Sequence, residues 1–291
     1  MSMRLSLNEA LSRYSAGTAY HTMPEFAGIE LQSLYSEEME ADGTLQLLRL
    51  VIRPGQGVPL HRNDRGEGLY LVAGRVEVRR DRGAVELDAP SAAYFAAGSV
   101  HAIANVGRED AIVLLTFSRM GRPRLGTSEF VDPAVLDPAE GLPNPNEIRG
   151  AQPLFRWAVH ESYEPWGPVE PSKGLRQSMK YLLDPARGTP DFVLGLARIT
   201  AGTHYTLHSH EPAEFYHVLE GEGVIHVGDA SYAVVPGDTV HVPSNVVHGI
   251  DATSSDILVH WVYAVEEVGM NWTWRAAEDI YTDVRGLRGN R

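Results

Sequence analysis

One interval constrains this chain more than any other feature of it. Gly55, His61, Glu67, Gly74 and His101 each have an identical partner further on: Gly202, His208, Glu214, Gly221 and His248. Every pair is separated by the same 147 positions (202 less 55, and likewise for the other four). Five matches at one offset require a common reading frame with no insertion through either segment. Duplication of one small β-barrel meets that requirement, whereas a chance match between two unrelated halves does not.

Each half reads as short strands. Apolar, β-rich runs broken by Gly, Pro and Asp cover Leu45–Ile52, Leu69–Val72, Val76–Arg79, Ala93–Phe95 and Ile112–Phe117 in the first. In the second they cover Phe192–Ile199, Phe215–Leu219, Val224–Val227, Tyr232–Val235, Thr239–Val242 and Ile257–Tyr263. This spacing predicts an antiparallel barrel or sandwich in each half. Between them, residues 121–153 carry repeated turn-forming steps (Asp132-Pro133, Asp137-Pro138, Asn144-Pro145) and read as a linker. Residues 15–43 read as an arm and edge strand, Met1–Tyr14 as a short amphipathic helix, and Arg275–Arg291 as a terminal helix or arm. The expected domains are 1–135 and 136–291, the latter including the linker.

Charge and composition remove whole classes of function. A formal net charge of -13 over 291 residues repels nucleic acid and anionic membrane surfaces alike. With no cysteine, the chain has no disulfide, thiolate metal site, iron–sulfur cluster or cysteine nucleophile. It has no long apolar run and no signal-peptide core, so a cytoplasmic protein acting on a small molecule is expected.

The chemistry concentrates between Gly202 and His248. His208, His210, Glu214 and His248 offer three imidazoles and a carboxylate, a ligand set for one divalent transition metal with room for substrate or water. Fe, Mn, Ni, Co and Zn all accept such a set, and the lack of thiolates disfavours only Cu(I). Strand alternation places His208 and His210 on one face, and Glu214 and Tyr216 on one face of the next strand. It turns Phe215 and His217 to the other side, so His217 is expected to be an ordinary half-buried or surface histidine. His204, His226, His241 and His260 are expected to be structural.

Tyr205 and Tyr216 are the candidate catalytic residues. At the matching positions of the first half stand Val58 and Leu69, which cannot exchange protons. A phenol near a bound cation loses its proton more easily and can then act as a general base. The first half also has Asn63 in place of the second histidine. His61, Glu67 and His101 are therefore expected to form a hydrogen-bonded pocket or a loose second metal site. All five tryptophans, Trp157, Trp166, Trp261, Trp272 and Trp274, lie in the second half and are expected mainly to pack; Trp261 is the best candidate to line a pocket.

These residues resemble the two motifs of the cupin superfamily: Gly, His-x-His, Glu and Gly, then a Pro-containing turn leading to a last His. Gly202, His208, His210, Glu214, Gly221, Gly237, Pro243 and His248 all match, with Asn245 and Ala252 as departures from a usual Gly and Asn. The first half matches at Gly55, His61, Glu67, Gly74, Gly98, His101 and Asn105, and departs at Asn63, Pro90 and Ala96. The resemblance implies an all-β bicupin of two tandem jelly-roll barrels with short helical arms, as a monomer or homodimer.

The segment His208-Ser-His210-Glu-Pro-Ala-Glu214-Phe-Tyr216, with Tyr205 and His248, is further similar to the dimethylsulfoniopropionate lyases. That similarity implies a metal-dependent elimination of a β-leaving group from a small carboxylate. The alternatives are a metal-dependent dioxygenase, as in other bicupins with these four ligands, and a non-catalytic bicupin that binds or senses a small molecule.

Overall fold

The structure is a computed structural model and describes residues 29–35, 45–80, 83–118, 128–130, 157–158, 164–165, 177–184, 189 and 192–264. The two expected terminal helices and most of the expected linker lie outside them. Every regular element among the described residues is a strand, and none of them forms a helix long and apolar enough to cross a membrane.

The strands fall into two compact units. The first holds β1 (Ile29–Tyr35), β2 (Leu45–Ile52), β3 (Gly57–Asn63), β4 (Glu67–Ala73), β5 (Arg75–Arg80), β6 (Gly83–Asp88), β7 (Ser91–Phe95), β8 (His101–Asn105), β9 (Ala111–Ser118), β10 (Ser128–Phe130) and β11 (Trp157–Ala158). They form two sheets, β1-β2-β9-β4-β7-β11 and β10-β3-β8-β5-β6. The second unit holds β12 (Glu164–Pro165), β13 (Gln177–Leu183), β14 (Phe192–Ile199), β15 (His204–His208), β16 (Glu214–Glu220), β17 (Gly223–Val227), β18 (Ala230–Val234), β19 (Thr239–Val242), β20 (His248–Ala252) and β21 (Ile257–Ala264). Its sheets run β12-β13-β14-β21-β16-β19 and β15-β20-β17-β18. Short β10 falls inside the stretch expected as linker and pairs with β3, setting Phe130 opposite His61.

The duplication extends to the irregularities of the ladders. A bulge interrupts β3 between Val58 and His61, and another interrupts β15 between Tyr205 and His208, at the same offset. The bulges at Leu71/Ala73 and Val218/Glu220 repeat it again. The frame slips by one residue only outside the motifs. β1 and β13 are 148 apart (177 less 29), and β9 and β21 are 146 apart (257 less 111). The second slip has a local cause. Asn105 bonds the carbonyls of Ile52 and Glu109 through Nδ2, at 2.7 and 2.8 Å, and accepts from the Gly107 N–H at 2.8 Å, shaping the β8–β9 turn. Its counterpart Ala252 can do none of this, and the β20–β21 turn is one residue shorter.

Two left-handed positions fix the turns around the motifs. Gly74 (φ 87°) and Gly221 (φ 75°) leave β4 and β16, and a Cβ on Gly221 would lie 1.9 Å from the Asp256 carbonyl oxygen. Asn245 adopts φ 60°, where its counterpart Gly98 has φ 77°; asparagine tolerates this region better than most residues.

In the first unit the space between the sheets is filled by apolar side chains including Leu48, Leu50, Leu69, Leu71, Val113 and Leu115. The other face of its larger sheet, carrying Leu45, Leu47, Tyr70 and Tyr94, is buried as well.

Candidate metal centre

The structure brings His208, His210, Glu214 and His248 together, with ligand atoms all within 4.8 Å of one another. Each reaches the centre by a different route. β15 ends at His208, which the preceding bulge places directly opposite His248 on β20; the two rings lie 4.1 Å apart. Glu214 opens β16. His210 is not in a strand, so the expected alternation with His208 does not position it. Its loop is pinned instead by the Asn245 N–H, which donates to the His210 carbonyl at 2.8 Å. The first unit repeats this bond from Gly98 to the Asn63 carbonyl at 2.7 Å.

The protonation pattern can be read from the carbonyls. His210 Nδ1–H donates to the Pro212 carbonyl at 2.8 Å, and His248 Nδ1–H to the Val246 carbonyl at 2.7 Å. A carbonyl only accepts, so each ring turns an Nε2 lone pair inward. Both Nε2 atoms lie 3.1 Å from the same oxygen, Glu214 Oε2. Three electron-pair donors facing one point at that distance require a cation or a proton among them, and Nδ1 hydrogen bonds of this kind are what orient metal-ligating histidines. The donor set therefore fits a divalent transition metal. Burial pushes the Glu214 carboxyl up, but the adjacent His210 and His248 overcome it and hold the group well below the usual carboxylate range. Burial also disfavours the His210 cation, yet Glu214 raises its pKa overall.

In the first unit His61, Glu67 and His101 assemble in the same way. Their Nδ1–H groups donate to the Pro59 and Ser99 carbonyls, and His101 Nε2 lies 3.0 Å from Glu67 Oε2. His61 Nε2 stands further off, at 3.7 Å. Asn63 replaces the missing imidazole with a donor: its Nδ2–H bonds the same Glu67 Oε2 that the histidines face. An N–H aimed at that oxygen satisfies it without a metal, whereas a histidine Nε2 lone pair would not.

Around the second centre, Tyr205 meets His208 edge-on at 4.8 Å and donates its hydroxyl to Met179 Sδ at 3.8 Å. Tyr216 shares the face of Glu214, is buried, and lies 5.9 Å from the His248 ring. Two further phenols belong to this environment and escaped the sequence reading, Tyr263 and Tyr181. Tyr263 stands directly opposite Glu214 across β16 and β21, with its ring 5.5 Å from that of His210. Burial first, then Tyr181 and Glu214, push its phenol well above the ordinary value. Trp261 is fully buried, stacked on Tyr263 at 5.2 Å and edge-on to Tyr181 at 5.1 Å.

The other described histidines of the second unit do not join the cluster. His217 turns to the opposite face, as alternation requires, but it is buried, not half-buried or at the surface, and its Nδ1 lies 2.8 Å from Thr239 Oγ1. His260, its direct partner across the strands, is fully buried too. His226 pairs with Asp251 at 2.9 Å, and His241 packs on Phe215.

Comparison with known proteins bears on this geometry. The cupin domain family matches residues 48–117 and again 195–265, one match in each barrel. The chain is a bicupin. Oxalate decarboxylase from Lactobacillus farciminis, in a formate complex, superposes with a TM-score of 0.62 at 16% identity, covering 83% of this chain and 82% of that one. The Bacillus subtilis oxalate decarboxylase studied for its Mn(II) centres superposes at 0.60 and 16% identity, over 82% and 74%. Salicylate 1,2-dioxygenase from Pseudaminobacter salicylatoxidans gives 0.61 at 15% identity, over 75% and 70%. At these identities the likeness is one of fold. In sequence, the dimethylsulfoniopropionate lyase DddW of Ruegeria pomeroyi is 34% identical over 59 residues, which is 20% of this bicupin and 39% of the lyase. The bicupin thus matches well under half the length of that relative.

Proposed function

We propose that the second barrel is a metal-dependent lyase that eliminates a β-leaving group from a small carboxylate, and that dimethylsulfoniopropionate is its substrate. The observation that carries this reading is the position of Tyr216. It lies two residues beyond Glu214 on the same face of β16 and 5.9 Å from the His248 ring, in the barrel with four candidate ligands. The other barrel, with three, has Leu69 there. The short stretch of identity with the DddW lyase supports the substrate.

His208, His210, Glu214 and His248 would hold the metal, which when bound supplies Lewis acidity toward the substrate carboxylate and favours the Tyr216 phenolate. Tyr216 then takes the proton from the carbon beside the carboxylate. The electron pair left behind forms the carbon–carbon double bond, and the bond from the β-carbon to sulfur breaks with its pair on sulfur. Dimethyl sulfide and acrylate result, and Tyr216 returns its proton to solvent. Tyr205, whose hydroxyl is engaged with the Met179 sulfur, stands second for the role of base.

The test is acrylate release from dimethylsulfoniopropionate by the metal-loaded protein. The expected outcome is turnover that falls by about a hundredfold or more in Tyr216→Phe, the scale of a lost general base. Wild-type protein releasing no more acrylate than the variant contradicts the proposal. The half-buried aromatic groups Tyr181 and Tyr263 also suit a flat ring substrate, one of the classes, with diketones, that a dioxygenase reading would take. Oxygen uptake separates the two readings, because elimination consumes none.

A further inference from the structure

The two barrels can be compared row by row across their larger sheets, and the comparison isolates what the second has gained. One row of the second unit runs Tyr181, Gly195, Trp261, Tyr216, Val240; its counterpart in the first runs Ser33, Leu48, Leu115, Leu69, Ala93. The next row on the same face runs Val193, Tyr263, Glu214, Val242, against Gln46, Phe117, Glu67, Phe95. Where the first barrel has Leu115 and Leu69 in its core, the second has an indole and a phenol, Trp261 and Tyr216; Tyr181 stands at the position of Ser33, and where the first has Phe117 the second adds a hydroxyl. The fully buried Trp261 Nε1–H has no acceptor among the described residues. At Tyr216, Trp261 and Tyr263 a polar hydrogen has thus replaced hydrocarbon beside the complete ligand set.

We propose that Tyr263, supported by Tyr181, positions the substrate by donating a hydrogen bond to its carboxylate. This rests on the reading above that the site takes a small carboxylate. Tyr263 is the group placed to do so. It lies across from Glu214 and over the His210 ring, at the edge of the ligand cluster, and is only partly buried. Tyr181 and Tyr263 share a hydrogen bond. In the free site Tyr263 is the donor of that bond, since the bond favours its neutral phenol. A hydroxyl rotates to suit its acceptor, so with a carboxylate bound Tyr181 donates instead and the Tyr263 O–H is directed at the ligand. The stack on Trp261 holds the phenol ring in that orientation. Tyr263 acts on binding and orientation; the proton transfer remains with Tyr216.

The experiment measures acrylate binding by calorimetry, with metal content and steady-state kinetics, on full-length metal-loaded protein. Tyr263→Phe keeps its metal and binds acrylate about tenfold more weakly, the scale of one hydrogen bond to a charged group. In turnover the change falls mainly on KM. Tyr181→Phe shifts affinity in the same direction by less, and the double variant is no weaker than Tyr263→Phe alone. Unchanged affinity in Tyr263→Phe, loss of metal from it, or losses that add in the double variant each overturn the inference. Acrylate release at an unaltered KM in Tyr263→Phe sinks this inference and leaves the lyase reading standing. A tenfold weaker complex in a protein with no turnover does the reverse.

Discussion

Trp261 lies across the backbone of Gly195, its partner in the β14–β21 ladder, so closely that a Cβ on residue 195 would sit 2.3 Å from the indole Cζ2. The glycine makes space for the indole to extend from its own strand toward Tyr181 on β13. The first barrel fills the equivalent pair of positions with Leu48 and Leu115. The site's aromatic floor therefore depends on a residue with no side chain.

A methyl group at Gly195 has nowhere to go. Besides the indole it would meet the Lys180 carbonyl oxygen at 2.5 Å, and the backbone cannot yield as a flexible side chain can. Gly195→Ala should destabilise the protein by about 1–3 kcal/mol, typical of overpacking in a tight core. Thermal melts would show this as a fall of several degrees, at roughly 2–4 °C per kcal/mol for a domain of this size. The double variant Gly195→Leu with Trp261→Leu, which copies the first barrel, should melt above Gly195→Ala while losing activity. A melting temperature unchanged in Gly195→Ala would show that the indole is free to move.

The His217–His260 pair predicts a specific acid sensitivity. Burial, with His217 as a lesser contributor, lowers the His260 pKa from 6.5 to about 3. Below pH 6.5 the unfolded chain takes up a proton that the folded state refuses, so stability falls as pH drops from 6.5 toward 3. Fully expressed, the effect is at most on the order of 5 kcal/mol. His260→Leu, matching Leu114 of the first barrel, removes it. Melts at about pH 7.5 and pH 5 should show a smaller drop for the variant than for wild type; any metal loss in acid is common to both. Equal drops would mean that His260 takes up its proton without cost.

The sequence was informative where chemistry and hydropathy agree. β2 matches its expected bounds, Leu45–Ile52, and most other expected runs fall inside observed strands because alternating or continuous apolar side chains mark them. The strands that carry or adjoin the ligand histidines, β3, β8, β15 and β20, gave no such signal, whereas β4 and β16, which open on Glu67 and Glu214, did. β15 is His204-Tyr-Thr-Leu-His208 and β20 is His248-Gly-Ile-Asp-Ala252; the ligand histidines with the intervening Thr, Gly and Asp break up the apolar run, and of the inward positions of β20 His248 is polar while Ile250 and Ala252 are buried and apolar. The duplication found their histidines all the same, since identity at a fixed offset does not depend on hydropathy. Tyr263 was missed for another reason. Its pairing with Glu214 joins residues 49 positions apart (263 less 214), and only strand register reveals it. Tyr181 lies still further from the motifs, in a strand with no counterpart motif of its own.

The most direct test of the central claim, that the second barrel holds the working metal site, is elemental analysis of the purified wild-type protein beside His248→Ala, His101→Ala and Asn63→His. One metal per chain is predicted for wild type, lost in His248→Ala and kept in His101→Ala. A second equivalent should appear in Asn63→His, where a lone pair replaces the N–H now directed at Glu67 Oε2. Metal that survives His248→Ala but disappears in His101→Ala would place the working site in the other barrel and contradict the account.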